Sequence, residues 1–448
     1  HRARRQTRAA RSRVEPRKYV VVETTIPENH LKVDPFFVNV TEDNRTPQDL
    51  GSILDEDFTA KLRIVKKDNT SKQTVLKANA KYRILNVNTK EYVTQEVDGV
   101  ILGTEENPFV TDETGSITTP LTIRYGEYEL QEIAAPEGYV LVGKEGVSKE
   151  GVYTPMPKQN VKFILSENTV QEIDQSTGEV MLVVEQYNQR QLGSIKIQVQ
   201  GEYLEEVNTI ENGVEVQYEK RGIPNTIFEL YAKKDIESPD GQGEILYQKD
   251  EKIATITSDE SGICYIDNLL LGEYYIKQTE AGEGFVLNTE QKDISLPYVG
   301  DKEAISYAEV SYENERQKIH IVLENKDSQT QENIQGGTFG IYTQEEISYQ
   351  TSTGETIVIP ADTLMSVQTV TEEGKIEWSP TQNIDLPLGN YQIKQIKAPD
   401  GYASSEEVIV VEGNYQGQDI ATIERKVTFE NDITKLRIQL QDRETEQG

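Results

Sequence analysis

Two ionisable residues, Lys66 and Glu132, fall where a β-strand would turn them inward. In KLRIVKKD, from Lys61, the two-residue period of a strand puts Leu62, Ile64 and Lys66 on one face. In GEYELQEIAAPEGY, from Gly126, the same period groups Tyr128, Leu130 and Glu132. An amine and a carboxyl on an apolar face are costly unless they pair or react. Burial makes an amine easier to deprotonate and a carboxyl harder to ionise, so such a pair can supply a nucleophile beside a proton carrier. If the parity slipped by one, Lys67 would point inward and Lys66 would be an ordinary exposed strand lysine. Asn188, after Tyr187 in VVEQYN, closes the same stretch of chain with a side-chain amide.

The elements that must position these groups recur along the chain. EYELQEIAAPEGY from Glu127 has counterparts in KYVVVETTIPENH from Lys18, EYYIKQTEAGEGF from Glu273 and NYQIKQIKAPDGY from Asn390. Glycine turns precede the segments from Glu127, Glu273 and Asn390 at Gly115, Gly262 and Gly374, and a second glycine stands just before the shared strand at Gly126, Gly272 and Gly389. Each unit opens on an alternating strand (KLRIVKKD, SIKIQVQG, KIHIVLENKD, KLRIQLQD) and closes on a short one ending VVEQYN, VSYEN or VTFEN. Alternation broken by glycine turns about every ten residues predicts antiparallel strands, and about seven strands per unit predict a two-sheet sandwich. The register divides the chain into a partial unit over 1–60, complete units over 61–191, 192–317 and 318–434, and the first strand of another over 435–448. Linkers this short predict a stiff string of beads.

Composition agrees with several small cores rather than one large one: 448 residues are only 35 % hydrophobic, with 23 tyrosines against 3 methionines and 3 histidines. A net charge of -31 disfavours nucleic acid as a partner. The single cysteine, Cys264, rules out an internal disulfide and is expected to pack as a small hydrophobe. No apolar run is long enough for a membrane helix, and neither a signal-peptide core nor a sorting motif is visible; both ends read as cut edges. The basic HRARRQTRAARSR start is expected to be a foreign edge rather than a polyanion-binding arm. TPMPKQN at 154–160 reads as a loop, and the many carboxylates lack the spacing of a calcium loop, so no metal or cofactor is expected. Three histidines, with His320 facing away from the core stripe, give no catalytic set.

The ordered combination of K-x-D opening strand, GxYxLxExxAPxGY and closing xN strand resembles the collagen-adhesin B-type domain, the prealbumin-like, SpaA-type pilin repeat of Gram-positive surface proteins. That resemblance covers nearly the whole chain after residue 18 and implies an all-β fold of tandem Ig-like or prealbumin-like antiparallel sandwiches. It further implies an intramolecular isopeptide bond between a first-strand lysine and a last-strand asparagine, promoted by a buried glutamate. Carried over here, Lys66 and Asn188 would be joined with loss of one ammonia, with Glu132 as the promoting acid. By analogy with a disulfide closing a loop of this size, the link contributes roughly 4–5 kcal/mol.

The other units depart from that pattern together. Val199 and Leu323 are read at the place of Lys66, and Gln278 and Gln395 at the place of Glu132, while Asn314 and Asn431 remain. Asn314 follows Gln278 by 36 residues and Asn431 follows Gln395 by 36; Asp57 follows Glu23 by 34, and Asn188 follows Glu132 by 56, which implies an insertion around 142–165. An uncharged amide suits a site that has lost its amine, so units two and three are expected to be uncrosslinked. Lys326 is a rival amine on the opposite parity, and Leu440 marks the same position in the last fragment. The partial unit carries Glu23 and, as acceptor, Asp57, with its lysine upstream of this chain.

The expected function is a structural stalk in an extracellular, cell-wall-associated adhesin or pilin, not an enzyme. Its partners would be neighbouring repeats, with a host matrix protein or glycan as a further one and peptidoglycan anchoring outside this segment. The alternatives are a ligand-binding adhesin module, which would show an apolar or aromatic patch, and accessory sandwiches of a larger carbohydrate-active enzyme, which would need a catalytic domain elsewhere.

Overall fold

The computed structural model describes residues 17–40, 52–141, 143–145, 154–156 and 160–438. The basic start, Lys158 and Leu440 lie outside the described residues. Regular structure is almost wholly β, with one short helical turn, Pro380–Gln382, among the described residues.

Each complete unit is two facing sheets. In unit one the strands Val161–Leu165, Gly126–Ala134, Lys81–Asn86 and Phe109–Val110 form one sheet, in that order. Tyr139–Val140, the closing strand Val180–Arg190, the opening strand Thr59–Asp68 and Ser116–Thr118 form the other. Inward residues of both, among them Leu62, Ile64, Tyr82, Ile84, Leu130 and Leu182, make one core. Units two and three repeat the plan on opening strands Leu192–Ile210 and Lys318–Asp327, inner strands Gly272–Glu280 and Tyr391–Lys397, and closing strands Ile305–Asn314 and Thr422–Asn431. Cys264 is buried in the second core, where burial above all pushes its thiol up to about 12, so it packs as an unreactive hydrophobe.

One pairing departs from the antiparallel expectation. Opening and closing strands lie side by side in parallel in all three units. The whole unit connects them, so no hairpin forces them to run antiparallel. Their outer ends therefore point in opposite directions, and tension along the chain shears the pair instead of unzipping it.

Units two and three are also more than beads on a linker. The opening strand of unit two runs on to Ile210, turns, and returns as Gly213–Gly222. The hairpin leaves its own unit: Leu204 is buried in the third core, with Val207, Val214, Val216 and Tyr218 packed against it. At the tip Gly213 pairs with Ser366 at φ 139, and a Cβ there would lie 2.2 Å from the Met365 carbonyl oxygen, so this close crossing requires glycine. Each unit keeps its own apolar core, and the hairpin of unit two is seated in that of unit three.

Candidate functional site

Lys66, Glu132 and Asn188 converge inside the first sandwich, at 0 %, 2 % and 5 % exposure. The parallel register sets Gln186 beside Lys66, so Asn188, two residues on, faces the same way as the lysine. Glu132 reaches the pair from the opposite sheet. The Lys66 Nζ donates to Glu132 Oε1 at 2.9 Å and also to Asn188 Oδ1. Asn188 Nδ2 donates to the Val140 carbonyl at 3.2 Å, which fixes the plane of its amide. A second lysine of the same strand shows the contrast. Lys61 lies 2.8 Å from Glu179 and 3.2 Å from Asp174, and the hydrogen bond to Glu179 above all holds its pKa up and keeps the amine charged.

Tyr82 is a member of this site that sequence reasoning missed. It sits directly opposite Glu132 in the register and is completely buried. Its hydroxyl makes no hydrogen bond of ordinary geometry. Yet Glu132 is close enough that burial first, and then this carboxylate, push the phenol well above its usual range. The residues opposite Gln278 and Gln395 are Phe228 and Phe339, so the hydroxyl occurs only beside the glutamate.

In unit two Val199 is buried at the lysine position, and Gln278 and Asn314 exchange side-chain hydrogen bonds of 3.2 and 2.9 Å. In unit three the register corrects one assignment. Asn431 pairs with Asp327, as Asn188 pairs with Asp68, so the equivalent of Lys66 is Asn325, not Leu323. Backbone contacts agree. The amides of Lys66, Val199 and Asn325 donate to the turn carbonyls of Gly115, Gly262 and Gly374 at 2.8, 2.8 and 2.9 Å. Both Leu323 and Asn325 are inward, so parity could not separate them. Alignment on the shared Lys-Asp of KKD and NKD, instead of on the first lysine of each strand, would have found the residue. Asn431 Nδ2 donates to Asn325 Oδ1 at 2.5 Å, and Gln395 Nε2 to Asn431 Oδ1 at 2.7 Å, giving a run of three hydrogen-bonded amides. Lys326 lies on the other face, 3.3 Å from Glu324.

A second correction concerns the partial unit. Glu23 accepts from the Val33 amide at 2.9 Å, as Gln278 does from Asn288 at 2.8 Å and Gln395 from Ser405 at 3.1 Å. At the closing strand, the amides of Gln191, Gln317 and Thr434, each three residues past its asparagine, donate to Gly138, Gly284 and Gly401. Phe58 makes this bond to Asn29 at 2.8 Å, so the equivalent of Asn188 is Asp55, not Asp57. A shorter connection from Glu23 misled the count. Asp57 instead pairs with Arg124 of unit one.

A family model for the SpaA prealbumin-like fold domain matches residues 60–154, 216–310 and 319–426, more than half of the chain, and the chain belongs to this family. Among solved structures, the TIE protein of Bacillus anthracis is 19 % identical at a TM-score of 0.47, covering 84 % of this chain and 51 % of that one. The chain thus spans about half of that protein's length. The major pilin subunit BcpA of Bacillus cereus is 16 % identical at 0.31, covering 84 % of this chain and 100 % of that one. A streptococcal ancillary pilin is 14 % identical at 0.21, covering 84 % and 99 %. No curated protein sequence matches the chain.

Proposed function

We propose that the chain is a load-bearing stalk segment of a Gram-positive cell-surface protein, and that its first complete unit staples itself. Membership of the SpaA prealbumin-like family supports the structural, non-enzymatic role. One observation carries the staple: a buried lysine amine, 2.9 Å from a buried carboxyl, is hydrogen-bonded to the side chain of a buried asparagine.

Proton transfer from Lys66 to Glu132 leaves a neutral amine. The Nζ attacks Cγ of Asn188, forming the Nζ–Cγ bond, while the protonated Glu132 stabilises the oxygen that gains charge. The Cγ–Nδ2 bond then breaks as Glu132 passes its proton to Nδ2 and takes the second proton from Nζ, so that ammonia departs, a neutral amide remains and Glu132 ends protonated. Folding supplies the proximity that a bimolecular amide exchange lacks. The product joins the two sheared strands, so tension entering at the opening strand leaves through the closing strand without loading the residues between. Units two and three, with Val199 and Asn325 in place of the lysine, are read as uncrosslinked. Anchoring to peptidoglycan and contact with a host matrix protein or glycan belong to the whole protein.

The test is the intact mass of the purified chain. A deficit of one ammonia is expected, with full mass restored by Lys66→Ala or Glu132→Ala. A wild-type chain of full mass would falsify the staple, and a deficit of three ammonias would overturn the reading of units two and three.

A further inference from the structure

The junctions between units repeat a contact set that is independent of the staple. Gln191 follows the closing strand of unit one, and Gln317 that of unit two. Both are buried, at 1 % exposure, and both side chains enter the next unit. The Gln191 Nε2 donates to the carbonyls of Gly300 and Glu303 at 2.8 and 2.5 Å, and its Oε1 accepts from the Val299 amide at 2.9 Å. The Gln317 Nε2 donates to Gly417 and Ile420 at 3.0 and 2.6 Å, and its Oε1 accepts from the Gln416 amide at 2.9 Å. Each carboxamide thus uses both donors and an acceptor across the junction.

Around each glutamine the same loop of the following unit reaches back. Leu141 and Leu287 donate their amides to the carbonyls of Asp301 and Gln418 at 2.8 and 2.9 Å. Ala135 and Ala281 donate theirs to the side chains of the same two residues at 2.9 and 2.7 Å. The hydroxyls of Tyr298 and Tyr415 donate to the carbonyls of Tyr139 and Phe285 at 3.2 and 3.4 Å. The sequences are therefore a plug, Arg190-Gln191 and Arg316-Gln317, and a socket, Tyr298-Val-Gly-Asp301 and Tyr415-Gln-Gly-Gln418. Both socket glycines have positive φ, 103 and 93, which turns the loop carbonyls toward the plug. Where the partial unit meets unit one, Phe58 takes the glutamine place, and no Tyr-x-Gly occurs between the last two strands of unit one. Plug and socket are missing together.

We infer that the Arg-Gln plug and the Tyr-x-Gly-Asp/Gln socket form a docking code between successive repeats, which locks units one to three into one rigid rod. The partner such a plug fits is a sandwich of this same family carrying the socket. A flexible tether would leave these buried carbonyls and amides to water; the carboxamide satisfies three at once, and an apolar side chain of equal length satisfies none.

The experiment measures distance distributions by electron spin resonance in the full chain, on a Cys264→Ala background. One nitroxide pair spans the first junction (Glu96→Cys with Lys249→Cys), and another spans the second (Lys249→Cys with Glu373→Cys). Narrow distributions are expected for both. Gln191→Met should broaden the first at least twofold and leave the second unchanged; Gln317→Met should do less at the second, where the hairpin of unit two stays seated in the third core. If either variant fails to fold, the socket variants Asp301→Ala and Gln418→Ala read the same junctions. Unchanged widths in the first-junction variants, or broad distributions in the parent, overturn the proposal. None of these readouts depends on whether unit one has lost ammonia.

Discussion

Asn325 occupies in the third unit the place that Lys66 occupies in the first. Each donates its amide to the carbonyl of a turn glycine, Gly374 or Gly115, and each aims its side chain at the asparagine of the closing strand. The two differ in what they can do. An amine beside Glu132 can attack an amide, whereas an amide beside Gln395 can only hydrogen-bond. The third unit keeps the geometry of the site with its chemistry removed.

That equivalence can be tested by restoring the missing groups. Asn325→Lys with Gln395→Glu should give the chain a second ammonia deficit, located by peptide mapping between the opening and closing strands of unit three. Neither single change should do so. Leu323→Lys with Gln395→Glu serves as the contrast, and a crosslink there instead would undo the register argument.

In unit one, partner removal and partner replacement should differ. Glu132→Gln leaves a buried amine without its carboxyl, a defect of about 3–5 kcal/mol on top of the lost staple. Lys66→Val with Glu132→Gln copies the pair found in unit two and should recover most of that defect. Calorimetry of the full chain, following the transition assigned to unit one, reads the difference. A double variant no more stable than Glu132→Gln would mean that the charge pair is not the source of the cost.

Tyr82→Phe places in unit one the residue found opposite the glutamine in units two and three. Removing a buried hydroxyl that makes no hydrogen bond of ordinary geometry should leave stability unchanged or raise it by about 1 kcal/mol. A loss above about 1 kcal/mol in the Lys66→Ala background would show that the hydroxyl bonds to Glu132.

Asp68 sets an acid limit. Burial alone would raise its pKa, but hydrogen bonds from Arg190 and Tyr139 and from the Ser71 and Thr70 amides hold it below the usual range. A depressed folded pKa contributes stability that is fully present above the unfolded value of about 4 and is lost as pH falls through the lower folded value. The melting temperature should therefore be level from neutral pH to about 5 and drop below 4. Asp68→Asn should lower it at pH 7 and flatten the acid limb; an unaltered limb would place the acid sensitivity elsewhere.

The shared hairpin should couple units two and three. Leu204→Ala removes a side chain buried in the third core from a strand of the second, and should cost about 2–4 kcal/mol. Because the residue bridges both units, their transitions should separate in calorimetry, whereas Leu62→Ala should affect unit one only.

Much was legible in the chain itself, because strand alternation and glycine turns are local. Two-residue parity put Lys66 and Glu132 inward, and the repeated motif put Gln278 and Gln395 at the acid's place. Parity has a blind spot at a shift of two, where a strand presents the same face; this is why Leu323 stood in for Asn325. Connection length misled in the same way at Asp57, since only a pairing partner says which residue of a closing strand faces the site.

What the tertiary structure alone decided are the relations between segments far apart in sequence. These are the parallel pairing of first and last strands, the hydroxyl of Tyr82 set against Glu132, the hairpin of unit two seated in the core of unit three, and the glutamines docked in the next unit's loop. Each depends on which surfaces meet once two sheets have closed on one another. A linear pattern says which face of a strand is apolar, but the partner that covers it is chosen by packing across the whole chain.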